Sequence, residues 1–256
     1  YARFWHKFLY DIAVVSTKEP FKRLEFLGFI LAEDGRKMSK RWGNVINPSD
    51  IVKLVGADTM RVYEMFMGPF ENTIAWSQDG LAGARRFLER VNGLAEHIVD
   101  QEPKETTTVL HKTIKKVSED IEHFKFNTAV SSMMIFINQA EKGGLTLTTY
   151  DAFLRLLAPF APHLTEELWR DSGNADSIHL AQFPEYAVEL AKDETVTIGV
   201  QINGKVRGDV TIAPDASQEQ ALAAVQENPV LKEKVAVDNI TKIIYVPGRI
   251  LNILQT

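Results

Sequence analysis

The chain has 256 residues, of which 45% are hydrophobic and 25% charged, with a net charge of −5. That balance is ordinary for a globular protein of one large domain or two to three small ones. The chain has no cysteine, which excludes disulfides and thiolate metal sites and fits a reducing, cytoplasmic setting. No apolar run approaches the roughly 18–20 residues that span a bilayer, so no membrane partner is expected. The charge is unevenly spread. Residues 1–62 carry eleven Lys and Arg against seven Asp and Glu, residues 63–194 twelve against twenty-one, and residues 195–256 six against six. A polyanion would therefore be met by local patches rather than by a whole-molecule field.

The opening stretch reads as a helix from about Ala2 to Val15, with Phe4, Phe8, Leu9, Ile12 and Val15 at helical spacing. It starts on Tyr1 as if in mid-helix, so the chain is expected to be part of something longer. Phe26 to Ala32 reads as a strand, closed by an Asp34-Gly35 turn signal. Residues 34–44, "DGRKMSKRWGN", then place four cationic side chains on a short loop with Gly35 and Gly43 as pivots. Two short helices follow, the first started by Asn47 or Ser49 and ended by Gly56. Strand, loop and helices in that order suit the closing edge of an α/β domain.

From Leu81 to about Ala191, amphipathic helices succeed one another with short breaks, and Pro159 and Pro162 stop the fourth. Short connections between such helices predict an antiparallel bundle. The last sixty residues alternate strictly, with Val196, Ile198, Val200 and Ile202 on one arm and Val206, Val210 and Ile212 on the other. The arms meet at Asn203-Gly204, a strong two-residue hairpin signal. Ser217 and Gln220 are spaced as a capping box, and "ITKIIYVPGRILNIL" supplies one or two closing strands. The chain is thus read as multidomain α and α+β: the C-terminal edge of a Rossmann-like domain over 1–80, an antiparallel helical bundle over 81–192, and a small α+β domain over 193–256.

Lysine is a compact point charge on a flexible stem, suited to following a phosphate that moves. Glycine lets backbone approach a ligand closely. A loop of this kind can offset charge building on a pyrophosphate leaving group. Composition alone is met more readily by a solvated turn. The order of the residues says more. "KMSKR" followed by "GN" resembles the KMSKS signature of class I aminoacyl-tRNA synthetases. "YARFWHKFLYD", "GADTMRVYEMFMGP", "HLTEELW", "QINGKVRG" and "VPGRILNI" resemble the bacterial-type leucyl-tRNA synthetase family, in that family's order.

The resemblance implies ATP as substrate, with Mg2+ accompanying it, and contacts to ATP from Met38, Lys40 and Arg41. Lys40 would stabilise the adenylation transition state, with Lys37 and Ser39 supporting the loop. Arg41 stands where the generic signature has serine, keeping positive charge and adding a possible phosphate fork. Leucine would be activated and passed to tRNA(Leu) by a monomeric enzyme. The family's HIGH signature does not occur in the 256 residues. The nucleotide-binding half, the leucine pocket and the editing domain are therefore expected upstream of Tyr1, and the chain alone is expected to be inactive. The resemblance also makes the bundle an anticodon-binding domain, with Arg85, Arg86 and Arg90 as RNA-facing residues, and brings Lys205 and Arg207 to tRNA through phosphate contacts. Strand alternation puts those two cations and Asp209 on one face.

The six histidines show no HxH or HExxH spacing, and no metal site is expected. Met60, Met67, Met133 and Met134 read as core, and Trp42 as packing against the helix after the loop rather than stacking on adenine. Two other readings stay open: a non-catalytic RNA-binding protein of synthetase descent, and a valyl- or isoleucyl-type enzyme. Lys37 and Lys40 argue against the first, and the "QINGKVRG…VPGRILNI" ending against the second.

Overall fold

The computed structural model describes residues 1–192, 196–235 and 239–256. It forms two compact units, Tyr1–Tyr186 and Ala187–Thr256. The expected boundary at 192/193 abuts residues 193–195, and the start of the last segment lies outside the described residues.

In the first unit, helix α1 spans Ala2–Asp11. It stops short of the expected Val15, because Ala13 takes a left-handed φ of 59° and the Val14 N–H turns back to the Leu9 carbonyl. Its apolar stripe stays open: Phe4 is 71% exposed, and Phe4, Trp5 and Phe8 meet edge to face. The expected strand at Phe26–Ala32 shrinks to β1, Ile30–Leu31, pairing in parallel with β2, Ile74–Ala75. A single short neighbour leaves Phe26, Leu27 and Phe29 without a second sheet face to cover them, and all three are exposed. Gly28 crosses the carbonyl of Asn72 so closely that a Cβ there would lie 1.9 Å from its oxygen.

Helices α2 (Pro48–Val55) and α3 (Ala57–Phe66) follow the loop. Asn47 caps α2 by accepting the Ser49 N–H, with Pro48 in the first turn. Then come α4 (Gln78–Gly93), α5 (Lys104–Glu122), α6 (Phe126–Gly143), α7 (Leu147–Leu157) and α8 (Pro162–Asp171). One buried cluster runs from Ile51 on α2 through Val62, Phe87, Ile114, Met133 and Phe153 to Ile178, so α2 and α3 share their core with the later helices. Met60 and Met133 are buried in it, and Met67 and Met134 pack against its edge.

In the second unit, strands β3 (Val196–Ile202), β4 (Lys205–Ile212), β5 (Ile240–Val246) and β6 (Ile250–Gln255) form a sheet in the order β4-β3-β6-β5. β3 and β6 are parallel, and the outer pairs are antiparallel. Helices α9 (Gln218–Glu227) and α10 (Pro229–Lys232) complete the unit: Ala221, Val225 and Leu231 share a core with Val200, Leu251 and Ile253. Asn203 and Gly204, both at positive φ (51° and 76°), make the expected hairpin turn, and Ser217 and Gln220 close the expected capping box.

Candidate active-site loop

The cationic loop begins with a reversal. The Ala32 N–H bonds the Arg36 carbonyl, the Gly35 N–H bonds the Ala32 carbonyl, and Gly35 takes φ 73°. Asp34 closes this turn. Its Oδ1 accepts the Arg36 N–H (3.0 Å), and its Oδ2 accepts Arg36 Nε and Nη2 (2.8 and 2.6 Å). The Arg36 guanidinium holds the Asp34 carboxyl below the usual carboxylate range. Lys37 then bridges Leu31, and its ammonium sits 4.9 Å from the centre of the Phe29 ring.

Met38 points inward and packs against the main core, anchoring the loop between its two lysines. Ser39 caps a single 3₁₀ turn, Lys40–Trp42, by accepting the Arg41 N–H at 3.3 Å. Gly43 ends it at φ 64°. Asn44 folds back under the turn, accepting the Ser39 N–H (2.9 Å) and donating to the Lys37 carbonyl (3.5 Å). Trp42 is 56% exposed, with the guanidinium carbons of Arg36 and Arg41 at 5.1 and 5.4 Å from its ring. Its indole therefore holds two cations rather than filling the core, which corrects the expected packing role. The side chain of Lys40 is exposed, and its ammonium has no hydrogen-bond or ion-pair partner among the described residues. Arg36 and Lys37 are engaged within the fold, and Arg41 leans on an indole. The ammonium of Lys40 is the loop charge left available to an incoming anion.

The three arginines of α4 fare differently from one another. Arg85 pairs with Glu89 (2.8 Å) one turn on. Arg90 reaches across to α6, donating to Glu141 (2.8 and 2.6 Å) and Asn138 (2.7 Å). The Glu141 hydrogen bond raises the Arg90 guanidinium further and lowers its own carboxyl. Arg86 is exposed and has no ion-pair partner among the described residues.

On β4, the register slips: Val200 faces Gly208 while Gln201 faces Val206, leaving Arg207 as an unpaired bulge residue. Strict alternation therefore fails. Lys205 lies opposite Ile202 and Asp209 opposite Gly199, so the expected common face for Lys205, Arg207 and Asp209 is not formed. Both cations remain exposed. No group of three or more His, Asp or Glu residues able to hold a metal occurs among the described residues. None of the described helices is long and apolar enough to cross a membrane.

Sequence reasoning passed over Asn44, Asp58 and Arg61. Asn44 carried a signal, an amide directly after a glycine that must turn the chain. The other two are charged residues whose partners lie about a hundred positions away.

Comparisons with known proteins agree with this layout. Residues 1–77 match the family of tRNA synthetases class I (I, L, M and V). Residues 104–223 match the anticodon-binding domain of tRNA ligase. The chain belongs to the class I aminoacyl-tRNA synthetases of that I, L, M and V group. Among solved structures it is similar to a LeuRS from Agrobacterium radiobacter, crystallised in a ternary complex with tRNA and LeuAMS. The match has 32% identity and a TM-score of 0.77, and covers 99% of this chain and 36% of that one. The chain thus spans about a third of that protein's length. The fold is accordingly that of the region holding the class I catalytic edge, the helical bundle and a small α+β unit.

Proposed function

We propose that this chain is the part of a leucyl-tRNA synthetase that carries the KMSKS-type loop, and that the whole enzyme activates leucine with ATP and transfers it to tRNA(Leu). The observation that carries the reading is Lys40, an exposed ammonium with no described partner, on a turn whose other cations are engaged. The family match and the likeness to a LeuRS support it.

In the proposed reaction, the leucine carboxylate oxygen attacks the α-phosphorus of ATP. The bond to the bridging oxygen breaks, and pyrophosphate leaves with the electron pair. Charge grows on that leaving group, and Lys40, aided by Lys37 and Arg41, offsets it. Ser39 holds the turn, and Met38 fixes its base. Mg2+ would arrive with the ATP. Phosphoryl chemistry of this sort leaves positioning and charge as the protein's contribution. Transfer to the terminal adenosine of tRNA follows, with the bundle and the α+β unit holding the RNA.

The test joins this chain to a HIGH-bearing half and measures ATP–pyrophosphate exchange with leucine, valine, isoleucine and methionine in turn. Leucine alone is expected to support exchange, and Lys40→Ala to lower kcat by about 100-fold or more. Undiminished exchange in Lys40→Ala overturns the role of the loop, and preference for another amino acid overturns the assignment. The chain by itself is expected to show no exchange.

A further inference from the structure

The loop from Asp34 to Asn44 has little backbone bonding of its own. Its 3₁₀ turn is three residues long and is held by two backbone hydrogen bonds, Trp42 N–H to Ser39 O at 3.0 Å and Gly43 N–H to Lys40 O at 3.3 Å. A turn that short does not fix its own direction. Arg36, Arg41 and Trp42 lie on its exposed side. What ties the two limbs together is one side chain. The Asn44 carboxamide accepts from the Ser39 N–H and donates to the Lys37 carbonyl, and it sits beside the Asp34 carboxylate, which it helps keep charged. It thereby touches the residue at the foot of one lysine and the residue just before the other.

We propose that Asn44 is the positioning residue of this loop, its carboxamide fixing where the stems of Lys37 and Lys40 leave the backbone. Asn44 does not touch substrate. It acts through Lys40, and the inference rests on the reading that Lys40 meets the phosphates. Aspartate at the same position keeps the acceptor for the Ser39 N–H, loses the donor to the Lys37 carbonyl, and brings a second negative charge next to Asp34. Alanine loses everything.

The experiment uses the chain joined to its HIGH-bearing half and follows leucine-dependent ATP–pyrophosphate exchange in Asn44→Ala, Asn44→Asp, Lys40→Ala and the double variant Lys40→Ala/Asn44→Ala. Displacing a charge by an ångström can cost up to about 100-fold, so Asn44→Ala is expected to lower kcat by roughly 10- to 100-fold. The leucine KM should stay within about twofold, because no leucine contact is lost. Asn44→Asp should fall between Asn44→Ala and the parent. The double variant should be no slower than Lys40→Ala, since a residue that works through another adds nothing once that other is gone. Thermal midpoints should be the same for all four variants, which separates positioning from a loss of fold. If Lys40→Ala is fully active, the phosphate reading falls and this inference falls with it. If Lys40→Ala is inactive while Asn44→Ala keeps the parental kcat, or if the two losses multiply in the double variant, this inference alone is overturned.

Discussion

Asp58 on α3 caps helix α8 through His163, 105 residues further along the chain. Its Oδ2 accepts the backbone N–H of His163 (3.0 Å) and of Leu164 (2.7 Å), and its Oδ1 meets His163 Nδ1 at 2.8 Å. One turn on, Arg61 donates to the carbonyls of Pro159 (2.8 Å) and Phe160 (3.3 Å). A single helix face thus satisfies the free carbonyls after α7 and the free N–H groups that open α8. Asp58 is buried, so removing it leaves two backbone donors without partners. Asp58→Ala is expected to cost about 2–3 kcal/mol, and Asp58→Asn about 1 kcal/mol, measured by urea unfolding. His163→Ala should cost less than about 1 kcal/mol, because its ring is mostly exposed. Equal losses in Asp58→Ala and His163→Ala would show that the ring contact, and not the cap, carries the link.

Glu102 does similar work between α5 and α7. Its carboxylate accepts the Thr146 N–H (2.7 Å) and the hydroxyls of Thr107 (2.7 Å), Thr149 (2.8 Å) and Thr146 (3.1 Å). Burial pushes its pKa up, but the Thr146 N–H and the three hydroxyls outweigh burial and hold it below the usual carboxylate range. A depressed folded pKa means that the unfolded chain takes up the proton first. The stabilisation is therefore present above the unfolded value and lost as pH falls through the folded one. Glu102→Gln is expected to cost about 1–2 kcal/mol at pH 7, and the gap from the parent should narrow as pH is lowered below about 4. Urea midpoints across that range check it. A gap independent of pH would mean that the charge is not what the four donors recognise.

The arginines of α4 divide into structural and available ones. Arg90→Ala should lower stability by about 1 kcal/mol through loss of its half-buried pairing with Glu141, with little change in RNA affinity. Arg86→Ala should do the reverse, leaving stability alone and reducing the salt dependence of tRNA binding by about one counterion. Lys205→Ala with Arg207→Ala should flatten that slope by about two. Filter binding at several salt concentrations reads all three. An unchanged slope in the Arg86 variant would remove it from the interface.

Much of the fold was legible because it is decided locally. Asn203-Gly204 must turn, Ser217 and Gln220 must cap, and Asn47 before Pro48 must start a helix, whatever surrounds them. What could not be read depends on partners. The period from Phe4 to Val15 promised a longer helix, but Ala13 breaks it while the stripe stays uncovered. Phe26–Ala32 has strand composition, yet only Ile30 and Leu31 pair as a strand. Alternation along β4 is shifted by the bulge at Arg207, which no pattern of apolar residues announces. At the site, residue order picked out Lys37 and Lys40. It could not say that Phe29 holds Lys37 and Trp42 the two arginines, or that Asn44 closes the loop, because those are facts of folding in space.

The shared core of α2 to α8 has a mechanical consequence. Ile51, one turn into α2, is buried in the same cluster as Ile178, so α2 travels with the whole helical body. Asn44 lies three residues before the cap of α2, and between them stand only Val45 and Ile46, the latter itself packed on the core. Any swing of the lysines toward a bound anion must then be absorbed within the short stretch from Gly35 to Gly43, on either side of the Met38 anchor. The loop works as a short crank on a heavy frame, with its travel set by two glycines and its rest position by one amide.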